Sequence, residues 1–552
     1  MTLADMLMLA ALAVFVVAWW VRRTPSRPLV LLASAGVALL AGVADFLDDR
    51  WQAAAGIGVA AVLLLVLLVN RLRRAGRKGG VPFVSGTLFA LMALVAVVAI
   101  VMFPVFPLPK PSGEYAVGVR TFELADASRP GLFNAKPGEP RRLVVRVWYP
   151  AGDTSGLQQR PYFTQRESET TARTLGEAVG FPQFFSYTKH VRTNSWENAP
   201  LLAGARDMPA VLYSHGYTSF LGQNTALMEE LASHGYVVFS VQHTSDSSAT
   251  LFENGDVIPF DPELNELARN MPDEGPDRPQ AQALGGLTLD DRISGHIAYR
   301  EQAAARKDRT VVASARAWVL DRLFLHDQLQ KLAVPEPIAQ IAAASNLARV
   351  GEMGMSFGGA TSGTICVIDP RCAAGINLDG GDFQFTAFNA DMPTPFLMFH
   401  SDVSNIYRAV EREAPAEPRA FNEFSYERIA TAGTHPDIHR VQLTGAQHLG
   451  LSDFSLFIRT PLRDPLLGST PSEVMIGAQN AFVRGFFDKY LRGQAVDFPK
   501  SQMAAYKDWV LPADNSDLPA WWAAKSEVER AALESRIDAA RGTGTDTAAA
   551  PN

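Results

Sequence analysis

A chain of 552 residues is long enough for more than one structural unit and for a large core. With 47% hydrophobic residues it is no disordered chain, and its two cysteines exclude a scaffold built on disulfides. The net charge of −7 is unevenly spread: residues 1–110 hold ten Lys or Arg against four Asp or Glu, and the rest hold 40 against 53, a net of −13. So acidic a remainder argues against nucleic acid as a partner, because neutralising phosphates takes basic surface.

Four apolar runs open the chain, at 7–21, 29–47, 53–69 and 81–106. They predict an all-α region over residues 1–110, with helices at about 6–22, 29–47, 52–70 and 81–106. Each run nears or exceeds the ~17–25 residues that cross a bilayer as a helix. A cleaved signal peptide fits the first run poorly. Asp5 stands where a basic segment would, and Trp19, Trp20, Val21, Arg22 and Arg23 stand where a cleavage site would. Arg22, Arg23 and Arg27 mark the first loop and Arg71, Arg73, Arg74, Arg77 and Lys78 the third, whereas the second holds Asp45, Asp48, Asp49 and Arg50. The positive-inside rule then puts loops one and three in the cytoplasm, and the N-terminus, loop two and everything after the fourth helix on the outer face of a plasma or inner membrane. With no internal ion pair or repeat to mark a transport path, the bundle reads as an anchor. Pro104, Pro107, Pro109 and Pro111 follow as a short semi-rigid spacer that keeps the next domain near the bilayer.

Residues 111–540 alternate short β-branched runs with helical stretches, the pattern of a mainly parallel sheet with helices on both faces. The runs 143–149, 210–214, 236–241, 350–353, 374–378, 396–399 and 440–443 predict strands, and 225–233 predicts a helix. An insertion spans about 251–332. Its stretch 293–332 is helical, with Val311, Ala315, Trp318, Arg322 and Leu325 along one side; packing on the sheet is favoured over a lid. Near the end, 518–540 carries Trp521 and Trp522 at helical spacing and reads as a helix packed on the domain, with membrane-surface contact the bolder alternative. Residues 541–552 read as a disordered tail.

The chemistry centres on Gly354-Met355-Ser356-Phe357-Gly358, a G-x-S-x-G turn between a predicted strand and small residues suited to a helix. The glycines permit a tight strand-to-helix turn that projects the serine hydroxyl, as in an α/β-hydrolase fold. A serine needs a base, with an acid to orient it. Downstream stand His400, His435, His439 and His448. His448 follows a predicted strand within a small-residue loop, the place for the base, while His435 and His439 read as surface loop residues. Asp379 and Asp402 each follow a strand ending on the same sheet edge, and the residues alone leave both open as the acid. The oxyanion hole takes backbone N–H donors from Phe357 and from the loop Ser214-His215-Gly216-Tyr217, where Tyr217 is the candidate; His215 reads as a support of the turn. Glu352 falls at an apolar strand position and needs a partner or a raised pKa if buried. Cys366 and Cys372 lie at the end of the helix after the turn and before the next strand; free buried thiols are favoured, with a disulfide as the alternative if the domain is exported.

The segments LYSHGYTSF (212–220), ELASHGYVVFSVQHTSDSSATLF (230–252), GMSFGG (354–359), GINLDGG (375–381) and GAQHLGLSDF (445–454), with EYAVGVRTFEL (114–124) and VRVWYPA (145–151), resemble the platelet-activating factor acetylhydrolase family over about residues 112–460. The resemblance implies a serine ester hydrolase without metal or cofactor. It places the nucleophile on Ser356, the acid on Asp379 rather than Asp402, the base on His448, and the oxyanion donors on Tyr217 and Phe357. Met355 departs from the family, which often has histidine there. The expected substrate is a short-chain or oxidised acyl ester of a phospholipid drawn from the membrane. The alternatives are a dienelactone-hydrolase-like or cutinase-like esterase acting on soluble or polymeric esters through Asp402, and a catalytically silent membrane sensor or scaffold.

Overall fold

The computed structural model describes residues 1–21, 24–73, 83–132, 135–261, 279–305, 309–410, 412–513 and 515–542. Arg22, Arg23, Arg74, Arg77 and Lys78 of the basic loops lie outside the described residues, as does the tail beyond residue 542. The chain divides into two compact units. The first comprises Met1–Leu108, Pro161–Thr193 and Leu456–Arg463, and the second the rest.

In the first unit, α1 (Leu3–Trp20), α2 (Arg27–Leu47), α3 (Ala53–Arg73) and α4 (Phe83–Met102) are long and apolar enough to cross a membrane by length and composition. Thr2 and Asp5 cap α1 reciprocally, each side chain accepting from the other's backbone N–H at 2.8 and 3.1 Å. Helix α1 packs on α2 and α4, and α3 packs on the same two. Met8, Leu12, Phe15, Ala35, Leu63 and Phe89 turn inward, while Leu40, Leu65, Leu88 and Leu91 stay exposed, so the helices are apolar all round.

One end of this bundle is polar. Asp5 and Arg50 form a fully buried ion pair at 3.1 Å. Arg50 also donates to the Phe103 carbonyl at 2.7 Å and lies over the Tyr187 ring. This corrects the expectation of no internal ion pair; the partners sit 45 residues apart in the chain and share no local pattern. At the same end Lys189 bridges Asp48 and Asp49, at 2.7 Å each, and Trp51 donates to the Phe184 carbonyl. The Met1 ammonium donates to the Val105 carbonyl, so the N-terminus, loop two and the exit of α4 share one side.

Among the described residues, the second unit is built, beside a separate two-stranded ribbon at 250–251 and 257–258, on an eleven-stranded sheet. Its strands are β1 (Ala116–Pro130), β2 (Pro140–Ala151), β3 (Gln159–Pro161), β4 (Arg192–Glu197), β5 (Met208–Ser214), β6 (Val237–Gln242), β7 (Ser345–Met355), β8 (Cys372–Leu378), β9 (Phe396–His400), β10 (Ile438–Leu443) and β11 (Val510–Pro512). The spatial order is β11-β10-β9-β8-β7-β5-β6-β2-β1-β4-β3. From β6 to β10 every neighbouring pair is parallel, and β2 runs antiparallel to β1 and β6.

Helices cover both faces, as continuous apolar strands require. The longer helices of this unit are α5 (Thr225–Ser233), α6 (Leu289–Ala305), α7 (Ala315–Gln330), α8 (Phe357–Ile368), α9 (Ser472–Tyr490) and α10 (Glu527–Gly542). Leu227 and Leu231 of α5 and Phe482 and Phe486 of α9 pack against Val211, Tyr213, Val238 and Ile376. On the other face Leu325 and Leu329 of α7 meet Leu143, Val145, Leu212 and Phe239. This is the α/β-hydrolase fold. The insertion thus supplies a helix packed on the sheet, although the stretch 293–332 is not one helix: α6 and α7 are separate, and the Val311 side chain lies outside the described residues. Ile293 and Ile297 of α6 pack with Phe385, Phe388, Trp522 and with Leu533 and Ile537 of α10, so the closing stretch packs on the domain, although 518–540 is not one helix: Leu518–Ala523 and α10 are separate.

Candidate active site

Strand β7 runs into α8 through Ser356, whose backbone sits at φ 54°, ψ −118°. For a residue with a side chain this costs on the order of 1–3 kcal/mol, held here by surrounding contacts. The Ser356 N–H donates to the Leu378 carbonyl at 2.7 Å. A Cβ on Gly358 would lie 2.1 Å from the Ser214 carbonyl oxygen, and one on Gly354 2.2 Å from the Gly358 backbone. Both glycines are therefore there for close approach.

The edge formed by the ends of β7, β8 and β10 gathers three of the predicted residues. His448 Nε2 lies 2.9 Å from Ser356 Oγ, and His448 Nδ1 lies 2.6 Å from Asp379 Oδ2. Asp379 also accepts from Ser401, from its N–H at 2.9 Å and its hydroxyl at 2.7 Å. Burial pushes the Asp379 carboxyl up, but hydrogen bonding to His400 and His448 outweighs it and holds the group well below the usual carboxylate range. A carboxylate there fixes Nδ1–H toward Asp379 and leaves Nε2 as the acceptor facing the serine.

Asp402 is not part of this array. Its Oδ1 accepts from Ser404 N–H and Oγ, and its Oδ2 accepts from Gly445 N–H at 2.8 Å, so it ties together the loops after β9 and β10. Ser401 and His400 brace Asp379; in the sequence His400 is only one of four downstream histidines, and nothing distinguishes Ser401 from other strand-end residues. His439 corrects a second expectation: β10 begins at Ile438, so this histidine is a half-buried strand residue, 2.7 Å from the Tyr490 hydroxyl.

The loop after β5 lies against the serine, and a Cβ on Gly216 would be 3.4 Å from Ser356 Cβ. The Tyr217 and Phe357 rings sit 5.1 Å apart, which brings both predicted donor residues to Ser356. As the first residue of α8, Phe357 has an N–H with no carbonyl four residues back within the helix. His215 is fully buried and its Nδ1 lies 2.6 Å from the Gly216 carbonyl oxygen, a support of the turn. Glu352 does find a partner, pairing with Arg322; burial nevertheless pushes its carboxyl up to about 7. Cys366 and Cys372 form a disulfide with Cα atoms 5.0 Å apart, which overturns the preference for free thiols: helix end and strand start meet here, a proximity that five intervening residues did not reveal.

Residues 101–258 match the model of the family described as platelet-activating factor acetylhydrolase, isoform II. Over 396 residues the chain is 23% identical to a platelet-activating factor acetylhydrolase of Cavia porcellus, covering 70% of this chain and 78% of that protein. A probable 1-alkyl-2-acetylglycerophosphocholine esterase of Arthroderma benhamiae is 22% identical over 401 residues, 67% of this chain and 82% of that one. Among solved structures, the ferulic acid esterase from Streptomyces cinnamoneus superposes with a TM-score of 0.52 at 20% identity, covering 74% of this chain and all of that one; this likeness speaks to the fold alone. Fold and relatives together define a serine ester hydrolase. Within that class the chain is related to the platelet-activating factor acetylhydrolases, the family its motifs resemble.

Proposed function

We propose that the protein is a membrane-anchored carboxylic-ester hydrolase working through Ser356, His448 and Asp379. The observation that carries this reading is the continuous relay Asp379–His448–Ser356, at 2.6 and 2.9 Å, beside the loop of Gly216 and Tyr217. Ser356 Oγ attacks the ester carbonyl as His448 Nε2 takes its proton, and the Asp379 carboxylate stabilises the imidazolium through Nδ1–H. The N–H groups of Tyr217 and Phe357 receive the oxyanion of the tetrahedral intermediate. His448 then protonates the leaving alcohol. Water, deprotonated by the same imidazole, attacks the acyl-enzyme and releases the acid.

The substrate class is an acyl ester of a phospholipid with a short or oxidised acyl chain. Two features support it: the names of the related enzymes, one an esterase of 1-alkyl-2-acetylglycerophosphocholine, and the exposed leucine that follows His448, Leu449, an apolar surface suited to an amphiphile. The four apolar helices support the anchor. The basic loops one and three and the Cys366–Cys372 disulfide support a catalytic unit on the outer, oxidising side. The test is hydrolysis of phosphatidylcholines differing only in the 2-acyl chain, acetyl against palmitoyl, by the full chain in detergent micelles. Preference for acetyl, abolished in Ser356→Ala, is expected; equal rates on both, or no turnover of either beside rapid hydrolysis of a soluble ester, would contradict the substrate assignment.

A further inference from the structure

Behind the oxyanion loop lies a second Ser–His–Asp array. Ser214, the last residue of β5, has its Oγ 2.9 Å from His243 Nε2, and His243 Nδ1 lies 2.9 Å from Asp321 Oδ2. All three residues are fully buried, so no ester reaches them. Arginines anchor both ends of the array, with Arg129 joining Arg141 at Asp321. Arg141 grips Asp321 with two hydrogen bonds, at 3.0 and 2.6 Å. Arg322 donates to Ser214 Oγ at 2.8 Å and pairs with Glu352. Burial pushes the His243 imidazole down to about 4 against the pull of Asp321, so the ring is neutral at pH 7. With Nδ1–H directed at Asp321, Nε2 accepts from the Ser214 hydroxyl, whose oxygen in turn accepts from Arg322.

The array connects to the Tyr217 N–H by three routes. The His243 backbone N–H donates to His215 Nε2 at 3.3 Å, and His215 Nδ1–H donates to the Gly216 carbonyl at 2.6 Å. That carbonyl shares a trans peptide with the Tyr217 N–H, so fixing the C=O fixes the N–H in the opposite direction. A hydrogen-bonded carbonyl also makes its own amide a stronger donor. The His243 ring stacks on Trp318 at 3.8 Å, and Trp318 lies against the rings of Tyr217 and Phe357, at 6.1 and 4.8 Å. Trp318 Nε1 donates to Asp246 Oδ2, and the Asp246 carbonyl accepts from Thr218 N–H at 2.9 Å, which pins the following peptide. Trp318, Asp321 and Arg322 stand at i, i+3 and i+4 on one face of α7, so a single helix of the insertion backs both donor residues.

We propose that Ser214, His243 and Asp321 are positioning residues, a buried relay that with Trp318 aims the Tyr217 N–H at the reacting carbonyl oxygen. The inference rests on the oxyanion role assigned above to Tyr217. It is tested in the full chain with His243→Gln, which keeps an amide near Ser214 but cannot bridge to Asp321, and with Trp318→Phe, which removes the indole N–H while keeping an aromatic face. Each is assayed on one ester and on its thionoester, whose developing charge falls on sulfur and is poorly matched to the hole. Loosening the hole lowers kcat on the ester by ~10–100-fold, leaves KM within about twofold because ground-state binding is untouched, and narrows the ester-to-thionoester rate ratio. A merely structural role would lower both rates together and leave the ratio as it is. Should His243→Gln give little folded enzyme, Ser214→Ala, which removes the hydroxyl between His243 and Arg322, carries the same test of the relay, and Trp318→Phe tests the indole. Unchanged kcat and ratio in a folded variant would overturn the inference. Ser356→Ala measured alongside separates the two levels: an inactive Ser356→Ala beside an unchanged His243→Gln overturns the relay alone, whereas persisting turnover in Ser356→Ala overturns the triad and the relay with it.

Discussion

Replacing Asp379 by Asn changes one atom, and its neighbours determine how the new amide must lie. The Ser401 backbone N–H points at Oδ1 from 2.9 Å and cannot reverse its polarity. The amide oxygen is therefore held at that position, and the NH₂ takes the place of Oδ2. Ser401 Oγ, 2.7 Å from Oδ2, can rotate to accept. His448 Nδ1, 2.6 Å away, can no longer donate and must present its lone pair, so its proton moves to Nε2. Nε2–H then donates to Ser356 Oγ instead of taking its proton, and the base is lost. The expected fall in kcat is ~10⁴-fold, or about 5.5 kcal/mol of transition-state stabilisation. Asp402→Asn should remain within about threefold of wild type in kcat and cost ~1 kcal/mol in stability, since it weakens a loop tie and touches neither His448 nor Ser356. Hydrolysis of p-nitrophenyl acetate by the purified chain, with thermal melts for stability, reads both. A loss in Asp402→Asn equal to that in Asp379→Asn, or an Asp379→Asn variant within tenfold of wild type, would rule out Asp379 as the residue that orients His448.

Other outcomes follow from the buried charges. Arg322→Met leaves Glu352 buried without its partner and should cost ~3–5 kcal/mol, whereas Arg322→Met with Glu352→Leu should recover most of it; melts of both variants decide. His296 is buried among Phe388, Phe421 and Phe424, and burial pushes it down to about 3. In the unfolded chain it binds a proton near its ordinary value, so acid favours unfolding. As pH falls below about 6.5, wild type should lose stability relative to His296→Phe by up to ~1.4 kcal/mol per unit, levelling off near the folded value. A melting-temperature difference that stays constant from pH 7.5 to 5.0 would contradict this.

The parts legible in the sequence are those whose signal is local. Helix Thr225–Ser233 was bounded residue for residue, because apolar spacing and Gly235 mark it unaided. Strand cores were found but their ends were not: β7 extends to Ser345 and β2 to Pro140, where charged residues still hydrogen-bond within the sheet. The serine turn was legible from its glycines, whose role is steric. From the residues alone the choice between Asp379 and Asp402 stays open, because both follow parallel strands ending at one edge; the resemblance of the segment 375–381 favours Asp379, and it is beside Asp379 that the His448 ring lies. Long-range polar contacts left no trace either. Asp321 meets Arg141 across 180 residues and His243 across 78, and periodicity carries no information at that separation. Glu352 was the one signpost to this network, a carboxylate in an apolar strand that had to have a partner.

The central claim, that Ser356 is the nucleophile of this hydrolase, is tested most directly by treating the native full chain with a fluorophosphonate and locating the adduct by peptide mass spectrometry. One stoichiometric adduct on Ser356, loss of esterase activity in proportion to labelling, and no labelling of Ser356→Ala are expected. An adduct on another residue with Ser356 unmodified, or equal labelling of Ser356→Ala, would contradict it.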